Sequence, residues 1–302
     1  MRGTTIAALG TTIALVCAAL AGCGDGRDPA AGEAPPGREL TDREKSRLDR
    51  AEELLVARCM AEHGFRYTPS EPADAEAGGG GGYVLDDVEW AREHGYGGEL
   101  RRKVLTARKD NPNLTYRASL SKDRLRAYTA ALGGRPSEGM LSVELPGGGT
   151  IRTARGGCRA TAQEELYGDR ETWFRVDKVH GNLAPLYLPD LVQDERFTDA
   201  VEAWARCMRA AGHDYAEPPH IRAQLPTLTE GLSARDAHDV EVGLAVAEAT
   251  CARDTGLAHT ARALHDEYRA PVAQQYAEQL TTHHHMRLAA LKQAKRVISS
   301  QA

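Results

Sequence analysis

Residues 48 to 67 read LDRAEELLVARCMAEHGFRY, and residues 197 to 215 read FTDAVEAWARCMRAAGHDY. Both end in the pattern CMxxxGxxY, with Cys59, Met60, Gly64 and Tyr67 in the first copy and Cys207, Met208, Gly212 and Tyr215 in the second. Upstream of each cysteine, apolar residues recur at helical spacing. Leu48, Leu55 and Cys59 share one face, and Val201, Trp204 and Met208 share another. Each glycine stands where a helix stops, because a left-handed residue after the last turn costs glycine no Cβ clash. The motif therefore reads as a capped helix end with a cysteine staple and a tyrosine folded back, rather than as a ligand box.

Two further cysteines lie in helical text of their own: Cys158 opens CRATAQEELYG, and Cys251 closes AEATCARDTG. Each copy of the motif is thus followed by one helical cysteine. If the echo is structural, Cys59 pairs with Cys158 and Cys207 with Cys251, which is one of the three connectivities that four cysteines allow. Bridges closing 99 and 44 residues would each contribute about 4 to 5 kcal/mol in the loop-entropy picture. There is no CxxC and no cysteine/histidine cluster at zinc-finger spacing, so no structural metal and no cofactor is expected.

The whole chain has 302 residues, 41% hydrophobic and 27% charged, which excludes pervasive disorder and a polytopic membrane protein. Aromatic residues make up only 5%, and 30 Gly with 14 Pro imply a modest core cut by loops. Small helical units that gain from covalent staples fit that composition.

The N-terminus sets the location. Arg2 precedes an apolar run from Ile6 to Leu20, too short and too rich in small residues for a stable spanning helix, and then come Leu20, Ala21, Gly22 and Cys23. This is the pattern of a lipoprotein signal peptide: small residues admit the peptidase, and the Cys23 thiol takes a diacylglyceryl group. Two acyl chains hold a protein where one is marginal, at about 0.8 kcal/mol per buried methylene. The expected location is the outer face of the cytoplasmic membrane, lipid-anchored. Cleavage before Cys23 leaves 37 basic and 43 acidic side chains, a balance that argues against nucleic acid as a partner.

The expected organisation is a signal peptide over 1–22, a flexible stalk over 23–39, a helical lobe with a hairpin over 40–190, a second helical lobe over 191–257, and a C-terminal helical segment over 258–302. The fold class is mainly α, two pseudo-repeated disulfide-stapled lobes with one β-hairpin and a long C-terminal helix. Thr41 to Glu44 forms a capping box. Residues 70–82 are an acidic, glycine-rich loop with no phosphate-cradle lysine after it. Residues 85–97 and 121–132 read as short helices, and MLSVELPGGGTIR over 140–152 reads as a hairpin around Pro-Gly-Gly-Gly. Pro271 is expected to interrupt or kink the C-terminal helical text.

The paired CMxxxGxxY helices, the WAREHGYG run over 90–97, the Pro-Gly-Gly-Gly hairpin before Gly157-Cys158, and 31 Arg against 7 Lys resemble an uncharacterised family of secreted lipoproteins from Streptomyces and related actinobacteria. The resemblance implies an envelope location and a disulfide framework, and it carries over no catalytic residue. By analogy with such lipoproteins it also suggests an accessory or immunity role beside an ABC-type exporter.

Signatures of chemistry are sparse. No GxSxG, HExxH or GxxxxGK[ST] pattern occurs. Ser119 and Lys122 match SxxK without its companion motifs, and Ser119 and Ser121 read as a loop serine and a helix cap. His283, His284 and His285 project about 100° apart on a helix and cannot share one ion. Tyr83, Asp86, Asp87 and Trp90 form a candidate binding patch of acids and aromatics, although acids at a helix start are expected on dipole grounds alone. Arg287, Lys292, Lys295 and Arg296 make the tail basic and amphipathic. The expectation is a non-enzyme that acts by binding a solute or partner, with the membrane and an envelope or transporter protein as candidate partners. An extracytoplasmic hydrolase whose residues converge only in space is the competing class.

Overall fold

The computed structural model describes residues 38–70 and 82–300. The expected signal peptide, the lipidated Cys23, nearly all of the stalk and most of the glycine-rich loop lie outside the described residues. Arg38 and Glu39, assigned to the stalk, belong to the folded body. The Arg38 guanidinium grips Glu44, Nη1 to Oε2 at 2.7 Å and Nη2 to Oε1 at 2.5 Å. With the Thr41 backbone amide also donating to the same carboxylate, Glu44 is held down to about 2.

The chain is mainly helical. Helix α1 (Asp42–Glu62) starts at the Thr41/Glu44 capping box, in which both reciprocal bonds form. It is followed by α2 (Val88–His94), α3 (Gly98–Lys109), α4 (Pro112–Ala118) and α5 (Lys122–Gly133). Strands β1 (Met140–Glu144) and β2 (Thr150–Ala154) pair antiparallel with Val143 opposite Ile151. Then come α6 (Cys158–Tyr167), α7 (Arg170–His180), the short α8 (Leu188–Leu191), α9 (Glu195–Ala210), α10 (Pro218–Leu228), α11 (Ala234–Asp254), α12 (Leu257–Gln275) and α13 (Ala277–Ser299).

Both copies of the motif end alike. In the first, Phe65 N donates to Met60 O and Gly64 N to Ala61 O; in the second, His213 N donates to Met208 O and Gly212 N to Arg209 O. These are the paired bonds of a Schellman cap, with Gly64 at φ 72° and Gly212 at φ 88° supplying the left-handed residue. Tyr67 folds back to donate to Glu53 on α1, and Tyr215 is buried in the core below α9. Disulfides join Cys59 to Cys158 and Cys207 to Cys251. The first ties α1 to α6 and the second ties α9 to α11.

Two hydrophobic cores result, and neither follows chain order. The first gathers Leu48, Leu55 and Met60 of α1 with Tyr128, Leu166, Trp173 and Val176, and it is closed by Ala290, Leu291, Ala294 and Val297 of α13. The second gathers Trp204 and Met208 of α9, Ile221 of α10, Leu244 and Ala249 of α11, and Leu257 and Leu264 of α12. Leu85, Val88, Ala91 and Tyr96 also join the second core, so the segment read as part of the first lobe packs with α11. The C-terminal segment is shared: α12 serves one core and α13 the other. The α13 helix thus spends its apolar stripe on packing, while Lys292, Lys295 and Arg296 stay outside.

Helix α12 runs through Pro271, and the break comes at Tyr276, with φ −105° and ψ 22°. Proline removes one amide donor without forcing a stop when the flanking turns are held. Leu141 and Val143 of the hairpin pack on Phe174 of α7 as a small satellite cluster.

Candidate binding site

Two acids on α11, seven residues and therefore about two turns apart, hold the 83–98 segment onto the body. Glu248 has no exposed surface. Its carboxylate accepts from Leu85 N at 2.8 Å, from the Tyr96 hydroxyl at 2.7 Å and from Arg222 Nη2 at 2.8 Å. Glu241 is also buried and accepts from Gly98 N at 3.0 Å, standing as the cap of α3, whose N-cap residue Gly97 has no side chain to offer. A carboxylate at that helix end is favoured by its unpaired amides and its dipole.

Gly98 is needed for this approach. A Cβ there would lie 2.0 Å from Glu241 Oε1, well inside contact distance. Burial raises the pKa of the Glu248 carboxyl against the opposing pull of Arg222 and its other donors. Burial, reinforced by the neighbouring carboxylate, pushes the Tyr96 hydroxyl far above its usual range, so it stays a donor.

Beside this network opens a pocket of about 280 Å³. Tyr96, Gly98 and Glu241 form its buried floor, Leu225, Pro226 and Thr229 one wall, and Arg101, Arg102 and Arg222 its cationic side. Arg222 Nη1 donates to Tyr83 O at 3.0 Å and Nη2 to Glu248, while its buried Nε has no partner among the described residues. Arg101 and Arg102 are exposed and pair with no acid among the described residues. The wall and floor contain no Ser, Cys, His or Lys, and the Thr229 hydroxyl is spent on Leu225 O at 2.7 Å. The chemistry offered is a set of guanidinium donors over a phenol, with no side chain suited to nucleophilic attack.

The four patch residues read from the sequence sit on the outer side of the same segment and do not converge on one surface. Asp87 caps α2 through Trp90 N at 2.9 Å, and Asp86 pairs with Arg262. Tyr83 reaches Glu217 at 3.3 Å and stands edge-on to Phe197 at 4.9 Å. Trp90 is half-buried, with its Nε1 buried and without a partner among the described residues, and its ring 5.1 Å from that of His94. Asp86, Asp87, Val88 and Glu89 line a shallow hollow with Arg253, which the aromatic residues do not enter.

A wider groove of about 750 Å³ runs between α3 and the start of α11, past Arg102, Lys103, Arg235 and His238. Among the histidines of the tail, His283 is buried in a stack, 5.2 Å from Trp173 and 4.1 Å from His180 by ring centres, with Asp177 Oδ1 3.8 Å from its Nε2. The three donors Cys59, His63 and Cys158 lie within 4.8 Å of one another, but their sulfurs are joined in the first disulfide. Ser119 donates to Tyr116 O, and Ser121 caps α5 by accepting from Arg124 N.

No family model, curated protein or solved structure matches the chain, and no comparison points to a catalytic activity. Among the described residues no helix is long and apolar enough to cross a membrane.

Proposed function

We propose that this protein is held at the outer face of the cytoplasmic membrane by a lipid on Cys23 and acts by binding a small carboxylate- or phosphate-bearing solute. The observation that carries the binding half is the Arg222 pocket. Three guanidinium groups line a pocket floored by Tyr96, Gly98 and Glu241; Glu248, outside the lining, is already satisfied by three donors, and Arg101 and Arg102 form no ion pair or hydrogen bond with an acid among the described residues. A planar guanidinium with free N–H groups is matched by a planar or tetrahedral oxyanion. The pocket volume, about 280 Å³, suits a solute of a few heavy atoms.

The lining supports binding over turnover. It offers one carboxylate, Glu241, which is engaged as a helix cap, and no nucleophile to pair with it. The tether rests on the Leu20 to Cys23 tetrapeptide after its apolar run.

The test is thermal melting of the unanchored Cys23→Ala chain with inorganic phosphate, with citrate, and with a neutral sugar as control. Binding to the native state alone raises the melting temperature with ligand concentration. The expected result is a dose-dependent rise with at least one of the anions and none with the sugar; no rise with either anion at millimolar concentration rejects the reading. Acylation is read separately, from the mass of the N-terminal peptide.

A further inference from the structure

Helix α3 is held at one end and presented along the rest. Gly98 is its only buried residue, anchored by Glu241, and the remaining turns lie on the surface. Leu105, at 54% exposure, is the most exposed of the large hydrophobic side chains on the described surface. On a helix its surface neighbours are the residues three and four positions away. In this sequence all four are basic: Arg101, Arg102, Arg108 and Lys109. All four are exposed, and none forms an ion pair or hydrogen bond with an acid among the described residues.

The asymmetry extends beyond one helix. Residues 101–126 hold nine Lys and Arg against Asp110 and Asp123, in a chain whose net charge is −5. The second most exposed large hydrophobic, Leu114 at 48%, lies in the same stretch. An apolar tip inside a cationic ring is the footprint of a helix that lies on an anionic lipid surface, with the leucine at the headgroup boundary and the ring against phosphates. A soluble polyanion would use the ring but gain nothing from the leucine.

We propose that the exposed face of α3, centred on Leu105, docks on the anionic phospholipid headgroups of the membrane to which Cys23 tethers the chain. This rests on the tether reading, which supplies the nearness: only 15 peptide links separate Cys23 from Arg38, a reach of at most about 50 Å. Docking would set the orientation of the Arg222 pocket relative to the membrane, since Arg101 and Arg102 border both.

The experiment is sedimentation of the Cys23→Ala chain produced from residue 23 onward, without the apolar signal segment, with vesicles of phosphatidylglycerol and phosphatidylcholine, with pure phosphatidylcholine vesicles and soluble polyphosphate as comparisons. The variants are Arg108→Glu with Lys109→Glu, and Leu105→Ser. None of these residues lines the pocket, and all are exposed, so unaltered melting and anion binding check that the fold is kept. The proposal expects binding to the anionic vesicles only, weakened at least tenfold by the charge pair and about fivefold by Leu105→Ser. Equal binding to both vesicle types, no binding to either, or indifference to the variants overturns it. So does polyphosphate binding that matches the vesicles and ignores Leu105→Ser. Because the chain used carries no lipid, a failed surface contact is distinct from an unacylated Cys23 in the native protein.

Discussion

Arg222 and Glu248 meet at 2.8 Å with very different exposures: the Glu248 side chain is fully buried and the Arg222 side chain is a quarter exposed. The pair runs from the second core to the lining of the pocket. One end is fixed by Leu85 N and the Tyr96 hydroxyl, and the other carries a buried Nε with no partner among the described residues. Removing the acid leaves a guanidinium and a phenol without their acceptor. Glu248→Leu is expected to destabilise the fold by roughly 3 kcal/mol, moderated because Arg222 can rehydrate. Tyr96→Phe, which removes one donor from the carboxylate, should cost about 1 kcal/mol. Urea unfolding of both variants measures this, and equal midpoints for Glu248→Leu and the parent would contradict the clamp.

Two glycines on the two sides of the clamp should respond to alanine with opposite signs. At Gly98 a Cβ would displace Glu241 and uncap α3, at a cost of about 1 kcal/mol. Gly243, exposed on α11, has nothing within 4 Å of its Cβ position, so alanine there should gain about 0.5–1 kcal/mol of helix stability. Hydrogen exchange of residues 98–109 is expected to speed up in Gly98→Ala and to stay unchanged in Gly243→Ala.

The two disulfides close loops of 99 and 44 residues, each worth about 4 to 5 kcal/mol by chain entropy before any native strain. Peptide mapping without reduction should recover Cys59 linked to Cys158 and Cys207 linked to Cys251. Cys207→Ala with Cys251→Ala should lower the unfolding free energy by about 2–4 kcal/mol; an unchanged value would mean that the α9/α11 contact stands without its staple.

Asp177 sets an acid limit on the docking of α13. Burial pushes its carboxyl up, but His283 and Lys178 outweigh that and hold it down to about 2. A carboxylate depressed in the native state contributes stability above its unfolded value, near 4, and that contribution is lost as pH falls through the window to about 2. Asp49 and Glu52, raised by burial on the facing helix α1, act in the opposite sense. Asp177→Asn is therefore expected to cost about 1 kcal/mol at pH 7, given that Asp177 is about a third exposed. The difference from the parent should vanish near pH 2, which urea midpoints across pH would show.

Local grammar explains why some of this was legible in the sequence. The CMxxxGxxY ends, the Thr41 cap and the Pro-Gly-Gly-Gly hairpin each specify their geometry within a few residues, and the structure forms all of them. The repeated motif also carried the pairing of cysteines. The assignment of 85–96 to the second core was not legible, because Glu248 meets Leu85 and Tyr96 across 163 and 152 positions. The signal present was two acids seven apart on a helix whose buried face is otherwise alanines, Leu244 and Cys251, a spacing that says an acid is buried without saying what it meets. Helix α3 was missed for a related reason: it buries no apolar stripe, so periodicity has nothing to report.

The most direct test of the account is calorimetric titration of the Cys23→Ala chain with citrate and with inorganic phosphate, repeated on Arg101→Ala at the rim and Arg222→Gln at the side of the pocket. Removing one charge-assisted guanidinium hydrogen bond from a bound oxyanion weakens affinity by about tenfold or more. The account predicts saturable binding of at least one anion by the parent and a weakening of that size in both variants, with Arg101→Ala melting as the parent does. Absence of binding to both anions, or binding that both variants leave unchanged, would contradict it.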